Sequence, residues 1–146
     1  MPILDPAART TALGCIVGPD RATIAPDTFD VSLFIGDPSL DGVEVADTTE
    51  VDDGAGGTYM QANGYAPGVA ASDDFTFDGE IATVLVTFPA PVAEYPETVT
   101  HWLMKAGVDR WFAGELLEPL DVTGPGDAFV VACSQFIENM LDLPEE

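Results

Sequence analysis

Ile81-Ala82-Thr83-Val84-Leu85-Val86-Thr87-Phe88 is the longest β-rich run in the chain, and Pro89 and Pro91 stop it. A second apolar run follows at residues 98–105. In it Val99, His101 and Leu103 face one way, while Thr100, Trp102 and Met104 face the other. Both faces are largely apolar, which suits a strand covered on both sides. Ala106-Gly107-Val108 then predicts a hairpin turn into a strand over 110–117, closed by Pro119 and the turn Gly124-Pro125-Gly126-Asp127.

Upstream, Asp30-Val31-Ser32-Leu33-Phe34-Ile35 is another β-rich run, stopped by Gly36-Asp37-Pro38. Residues 37–57 are expected to be loop, rich in Asp37, Asp41, Asp47, Asp52 and Asp53 and in glycine, with Val43-Glu44-Val45 the only strand-like interruption. Short strands are expected at 58–61 and 74–78, with Phe75 and Phe77 on one face. Strands of this length and spacing predict a mostly β fold, a single antiparallel β-sandwich or barrel over residues 29–146, without internal repeat or second domain.

The two ends read differently. Residues 1–28 carry Pro2, Pro6, Pro19 and Pro26, so they are expected to form an extended arm outside the core, with 13–17 as a short strand. At the other end Phe129, Val130, Cys133, Phe136, Ile137, Met140 and Leu141 fall at helical spacing, and Asp127 is a reasonable N-cap. That pattern predicts a C-terminal helix over 128–141.

Of 146 residues 26 are Asp or Glu and 4 are Lys or Arg, a net charge of −22. Self-repulsion of that size destabilises a small domain at ordinary salt, and molar salt relieves it as the Debye length falls from about 8 Å to about 3 Å. The acidic excess runs along the whole chain rather than in one tail, which favours a protein built for brine or seawater over an ordinary acidic one. Arg9, Arg21, Lys105 and Arg110 are too few and scattered to neutralise phosphates, which argues against nucleic-acid binding. No apolar run approaches the roughly 18 residues of a membrane span. Ala12-Leu13-Gly14-Cys15 superficially resembles a lipoprotein cleavage site, but Asp5 stands where basic residues belong, so neither signal peptide nor lipid anchor is expected. Cys15 and Cys133 are expected to be buried free thiols rather than a disulfide.

No constellation of catalytic residues stands out, and no catalytic, cofactor-binding or metal-binding residues are assigned. Asp121-Val122-Thr123-Gly124-Pro125-Gly126-Asp127-Ala128-Phe129 resembles the signature of ribokinase-type sugar kinases, where a glycine-rich turn opens a helix and an aspartate acts as base. Pro125 lacks the N–H such an anion hole uses, the chain is about half the length such a kinase needs, and no βαβ pattern precedes the motif. A kinase fragment is therefore a remote alternative to a plain turn. His101, the one histidine, is expected to be a hydrogen-bonded strand residue, and the serines lack a nucleophile elbow. Asp52-Asp53-Gly54 lacks the spacing of an EF-hand. Trp102, Trp111 and Phe112 cluster in one predicted hairpin, either packing in the core or against a subunit or partner, or stacking on a sugar.

From Leu33 onward the order of features is familiar: Gly56-Gly57-Thr58-Tyr59, then Val86-Thr87-Phe88-Pro89-Ala90, Tyr95, Glu97-Thr98-Val99-Thr100-His101-Trp102 and Trp111-Phe112-Ala113-Gly114-Glu115-Leu116. Over roughly residues 31–141 this resembles a family of small virion structural proteins of tailed phages, described as tail-fibre-like or head proteins. The resemblance implies a compact β-sandwich without cofactor or catalytic residues, and a final strand after the Gly-Asp turn, against the helical spacing noted above. It further implies a non-enzymatic head decoration protein on the capsid surface, bound to the major capsid protein and to copies of itself, with a homotrimer expected. A tail or fibre module touching the host surface is the alternative. The arm's Pro2, Ile3 and Leu4 are the expected capsid contacts.

Overall fold

The computed structural model describes residues 10, 12–19, 21–22, 25–79 and 81–135. From Thr28 on, the described residues form ten strands and one short 3-10 helix in the order β1 (Thr28–Ile35), β2 (Val43–Glu44), β3 (Thr48–Asp52), β4 (Thr58–Ala62), β5 (Gly68–Ala71), the 3-10 turn Ser72–Asp74, β6 (Thr76–Asp78), β7 (Ile81–Phe88), β8 (Val99–Ala106), β9 (Asp109–Leu120) and β10 (Phe129–Gln135). All pairings are antiparallel. One sheet runs β2-β1-β8-β9, with β5 also pairing β1; the second runs β10-β7-β6; β3 and β4 form a separate hairpin. The sheets pack together without closing into a barrel, so the fold is the mostly β, antiparallel architecture expected from the strand pattern.

The core lies between the sheets. Phe29, Val31 and Leu33 of β1, Trp102 and Met104 of β8 and Phe112 of β9 meet Val84, Val86 and Phe88 of β7 and Cys133 of β10 in one cluster. Burying side chains of this size stabilises by roughly 1.5–3 kcal/mol each, which sets the fold against the self-repulsion of the surface. Phe29 is the hub: its ring makes edge contacts with Phe75 (6.2 Å), Trp111 (6.3 Å) and Phe112 (5.9 Å). Trp102, Leu103 and Met104 are all buried, so β8 is covered on both faces, as its sequence predicts. Trp102 lies over Gly114, its register partner on β9; a Cβ there would stand 2.5 Å from the indole Cζ2. Only glycine leaves room for that ring.

Several expectations need correction. The helix over 128–141 is not formed where the structure describes it: residues 129–135 are strand β10, paired along its length with β7, while 136–141 lie outside the described residues. Cross-strand pairing with β7, which buries Val131 and Cys133, outweighed a helical spacing that was coincidental. Residues 12–14 are helical rather than strand, and Leu13 and Val17 are fully buried, so this part of the 1–28 segment belongs to the core. Backbone bonds from Ile16 and Val17 to Leu13 O (2.9 and 3.0 Å) hold that turn. Loop 37–57 contains β3 as well as β2, and β9 runs on through Pro119 to Leu120. Phe75 is buried, but Phe77 is 38% exposed, its ring lying against Gly18.

Candidate functional site

The alternation of β7 and β10 decides what the second sheet shows to solvent. In β7, Ala82, Val84, Val86 and Phe88 point inward; in β10, Val131, Cys133 and Gln135 do the same. Inner pairs are Val131 with Val86, Cys133 with Val84 and Gln135 with Ala82. Outer pairs are therefore Val130 with Thr87, Ala132 with Leu85 and Ser134 with Thr83, and β6 adds Thr76 opposite Thr83. Not one of these outer residues is charged, in a chain of net charge −22. Leu85 is 67% and Val130 56% exposed. Thr83 and Ser134 hydroxyls share a hydrogen bond of 2.8 Å, which satisfies the polar end of the strip. Asp78, opposite Ile81, marks its border.

Beside this face, the second half of β9 comes close to β10 without pairing with it. Leu116, Leu117, Glu118, Leu120, Val130, Val131 and Ala132 line a groove of about 580 Å³ between them. Leu117 is 96% exposed at its rim. Apolar area left in water costs free energy, and a contiguous exposed patch of this kind marks a contact surface more often than a catalytic one. Under it, burial pushes the Cys133 thiol up to about 12, so that sulfur is an inert core group.

The residues singled out in the sequence fall elsewhere. Trp102 and Phe112 are core residues of the chain itself, at 1% and 0% exposure, so neither packs against a subunit nor stacks on a sugar. Trp111 is half-buried against Phe29. Pro2, Ile3 and Leu4 lie outside the described residues. His101 is half-buried on β8, its Nδ1 2.8 Å from the Thr100 hydroxyl. Both cysteines are free, but Cys15 is exposed rather than buried.

The Gly124-Pro125-Gly126-Asp127 turn leads into strand β10, so no helix N-terminus faces Asp127. Gly126 N donates to Pro91 O (3.0 Å), which ties the turn to the loop after β7. The neighbouring cleft of about 320 Å³ is lined by Glu94, Glu97 and Asp121, carboxylates that repel a phosphate. A third hollow, about 430 Å³ beside Glu44 and Asp47, contains Tyr65, whose hydroxyl donates to Glu44 Oε2 (2.8 Å) and accepts from Leu33 N (3.0 Å). Burial raises the Tyr65 pKa, and the Glu44 contact adds to it, so the phenol is a neutral structural strut. Among the described residues no three potential metal ligands gather, and no helix is long and apolar enough to cross a membrane.

No family model matches the chain, and neither does any curated protein or solved structure. The β7–β10 face was missed in the sequence, although the inner and outer residues of Ile81–Phe88 alternate there; its signal is the absence of carboxylates from Thr83, Leu85 and Thr87.

Proposed function

We propose that this chain is a non-enzymatic virion structural protein, most concretely a head decoration protein seated on the major capsid protein of a tailed virus from a saline environment. The observation that carries the reading is the charge-free outer face of β7 and β10, with exposed Leu85 and Val130 and the Leu117 groove beside it. Attachment to a shell requires desolvating one face of the protein. Carboxylates resist that unless each is paired, whereas Thr, Ala, Val and Leu do not. The remaining surface keeps its charge toward solvent, which holds a densely covered particle soluble in salt. Many weakly bound copies on a repeating lattice then act together, each seated by the same patch. The resemblance of residues 31–141 to small tailed-phage structural proteins supports the same reading.

The test is rebinding. Purified chain is added to particles stripped of it, and bound protein is measured by sedimentation. Saturable binding that Leu85→Asp and Val130→Asp abolish supports the reading; binding indifferent to both substitutions contradicts it. The tail-module alternative loses its main support with Trp102 and Phe112 in the core.

A further inference from the structure

We propose that the β3–β4 hairpin joins two copies of this chain edge to edge through β4, independently of any attachment to a shell. Among the described residues β4 pairs with β3 alone. All five of its side chains are exposed, Tyr59 at 52% and Met60 at 59%. Backbone bonds from Asn63 N to Asp47 O (2.9 Å) and from Asp53 N to Gly57 O (3.1 Å) bracket the ladder. Hydrogen-bonded and non-hydrogen-bonded pairs alternate in an antiparallel ribbon. Counting inward from both brackets, Thr49/Gln61 and Val51/Tyr59 exchange their bonds inside the hairpin. Thr58, Met60 and Ala62 therefore turn their N–H and C=O groups to the free edge, a ready template for another strand.

Charge identifies the occupant. Edges are commonly protected by charged residues, and this hairpin has them on one side only. Glu50 and Asp52 lie on β3, flanked by Asp47 and Asp53, whereas Thr58-Tyr59-Met60-Gln61-Ala62 has no charge at all. A basic partner would find its complement along β3. A second copy finds its complement along β4, where an antiparallel pairing centred on Met60 sets Met60 against the partner's Met60 and Thr58 against the partner's Ala62. That pairing adds about six backbone hydrogen bonds. The two acidic β3 strands then lie at the outer edges, three strand spacings or about 14 Å apart. This exceeds the screening length of about 8 Å at 0.15 M salt, so the joint brings the copies together without opposing their carboxylates. The contact is isologous and closes at two copies; a trimer requires a separate contact.

Sedimentation velocity on the full chain in a Cys15→Ser background, at 0.15 M and 2 M salt, tests this. The expected result is a dimer that tightens with salt. Met60→Lys is expected to weaken it by at least about tenfold, because like charges meet at the two-fold axis, while Leu85→Lys leaves it intact. As a measurement independent of that variant's folding, Met60→Cys is expected to cross-link two copies on oxidation, since Cα atoms of a hydrogen-bonded antiparallel pair lie about 5.5 Å apart, within disulfide reach. A chain that stays monomeric in 2 M salt, a dimer lost with Leu85→Lys but not with Met60→Lys, or no cross-link from Met60→Cys would each overturn the proposal. Shell binding in the rebinding assay is unaffected by any of these outcomes.

Discussion

Cys133 sits on the inner side of β10 opposite Val84, and its thiol is held neutral by burial, from an ordinary value of 9.0 up to about 12. The folded pKa is above the unfolded one, so the folded chain holds its proton longer. The associated stability is fully present below pH 9 and is lost as pH rises from about 9 toward 12, at about 1.4 kcal/mol per pH unit. Tyr65 and Tyr95, both raised by burial, act with the same sign above pH 10. Urea unfolding from pH 8 to 11 is expected to show falling stability, and Cys133→Ala to flatten the slope between pH 9 and 10. Asn63 supplies a second residue-scale outcome. Fully buried, it donates from Nδ2 to Ala46 O (2.8 Å) and to the Thr49 hydroxyl (3.1 Å), and its Oδ1 accepts from Tyr65 N (2.9 Å). These bonds anchor the foot of the β3–β4 hairpin to the body. Asn63→Ala leaves buried partners unsatisfied and is expected to cost about 2–4 kcal/mol in urea unfolding, since each orphaned group costs about 1–3 kcal/mol.

At the scale of elements, the face of β7 and β10 carries the functional argument, and the loss of shell binding expected from Leu85→Asp and Val130→Asp belongs to it. Both side chains point to solvent, so these substitutions are expected to leave stability within about 0.5 kcal/mol while removing attachment. The same face explains which elements could be read from sequence. β7 and β8 were legible because long apolar runs bounded by proline or glycine have few other uses. β10 was not. Its outward residues Val130 and Ala132 are apolar like its inward Val131 and Cys133, so the polar half of a strand alternation is missing and a helical spacing emerged in its place. The absence of charge that disguised the strand is what makes its outer face available for contact. The β3 strand was hidden for the opposite reason: Thr48-Thr49-Glu50-Val51-Asp52 has one apolar side chain, Val51, and only Thr49 is buried. Burial of Trp102 follows the two-sided apolar pattern of β8, whereas burial of Phe112 turned on the tertiary position of β9, which no local pattern specifies.

For the whole molecule the dominant quantity is the net charge of −22. Arg21 offsets little of it: its guanidinium bridges Asp27 and Asp73, both largely exposed, where solvent screens the attraction. With 26 Asp and Glu against 4 Lys and Arg, pairing can neutralise only a small part of the charge, so the rest of the repulsion is left to dissolved salt. Thermal melting is expected to rise by several degrees between 0.1 M and 2 M sodium chloride, each 1 kcal/mol of relieved repulsion raising it by about 3–5 °C in a domain of this size. An unchanged melting temperature would contradict adaptation to brine.

The role proposed above is attachment in many copies to an assembled shell. Quantitative mass spectrometry of purified virions, with the chain measured against the major capsid protein, tests that role most directly. Hundreds of copies per particle are the expected result, and tens of copies or none would contradict it.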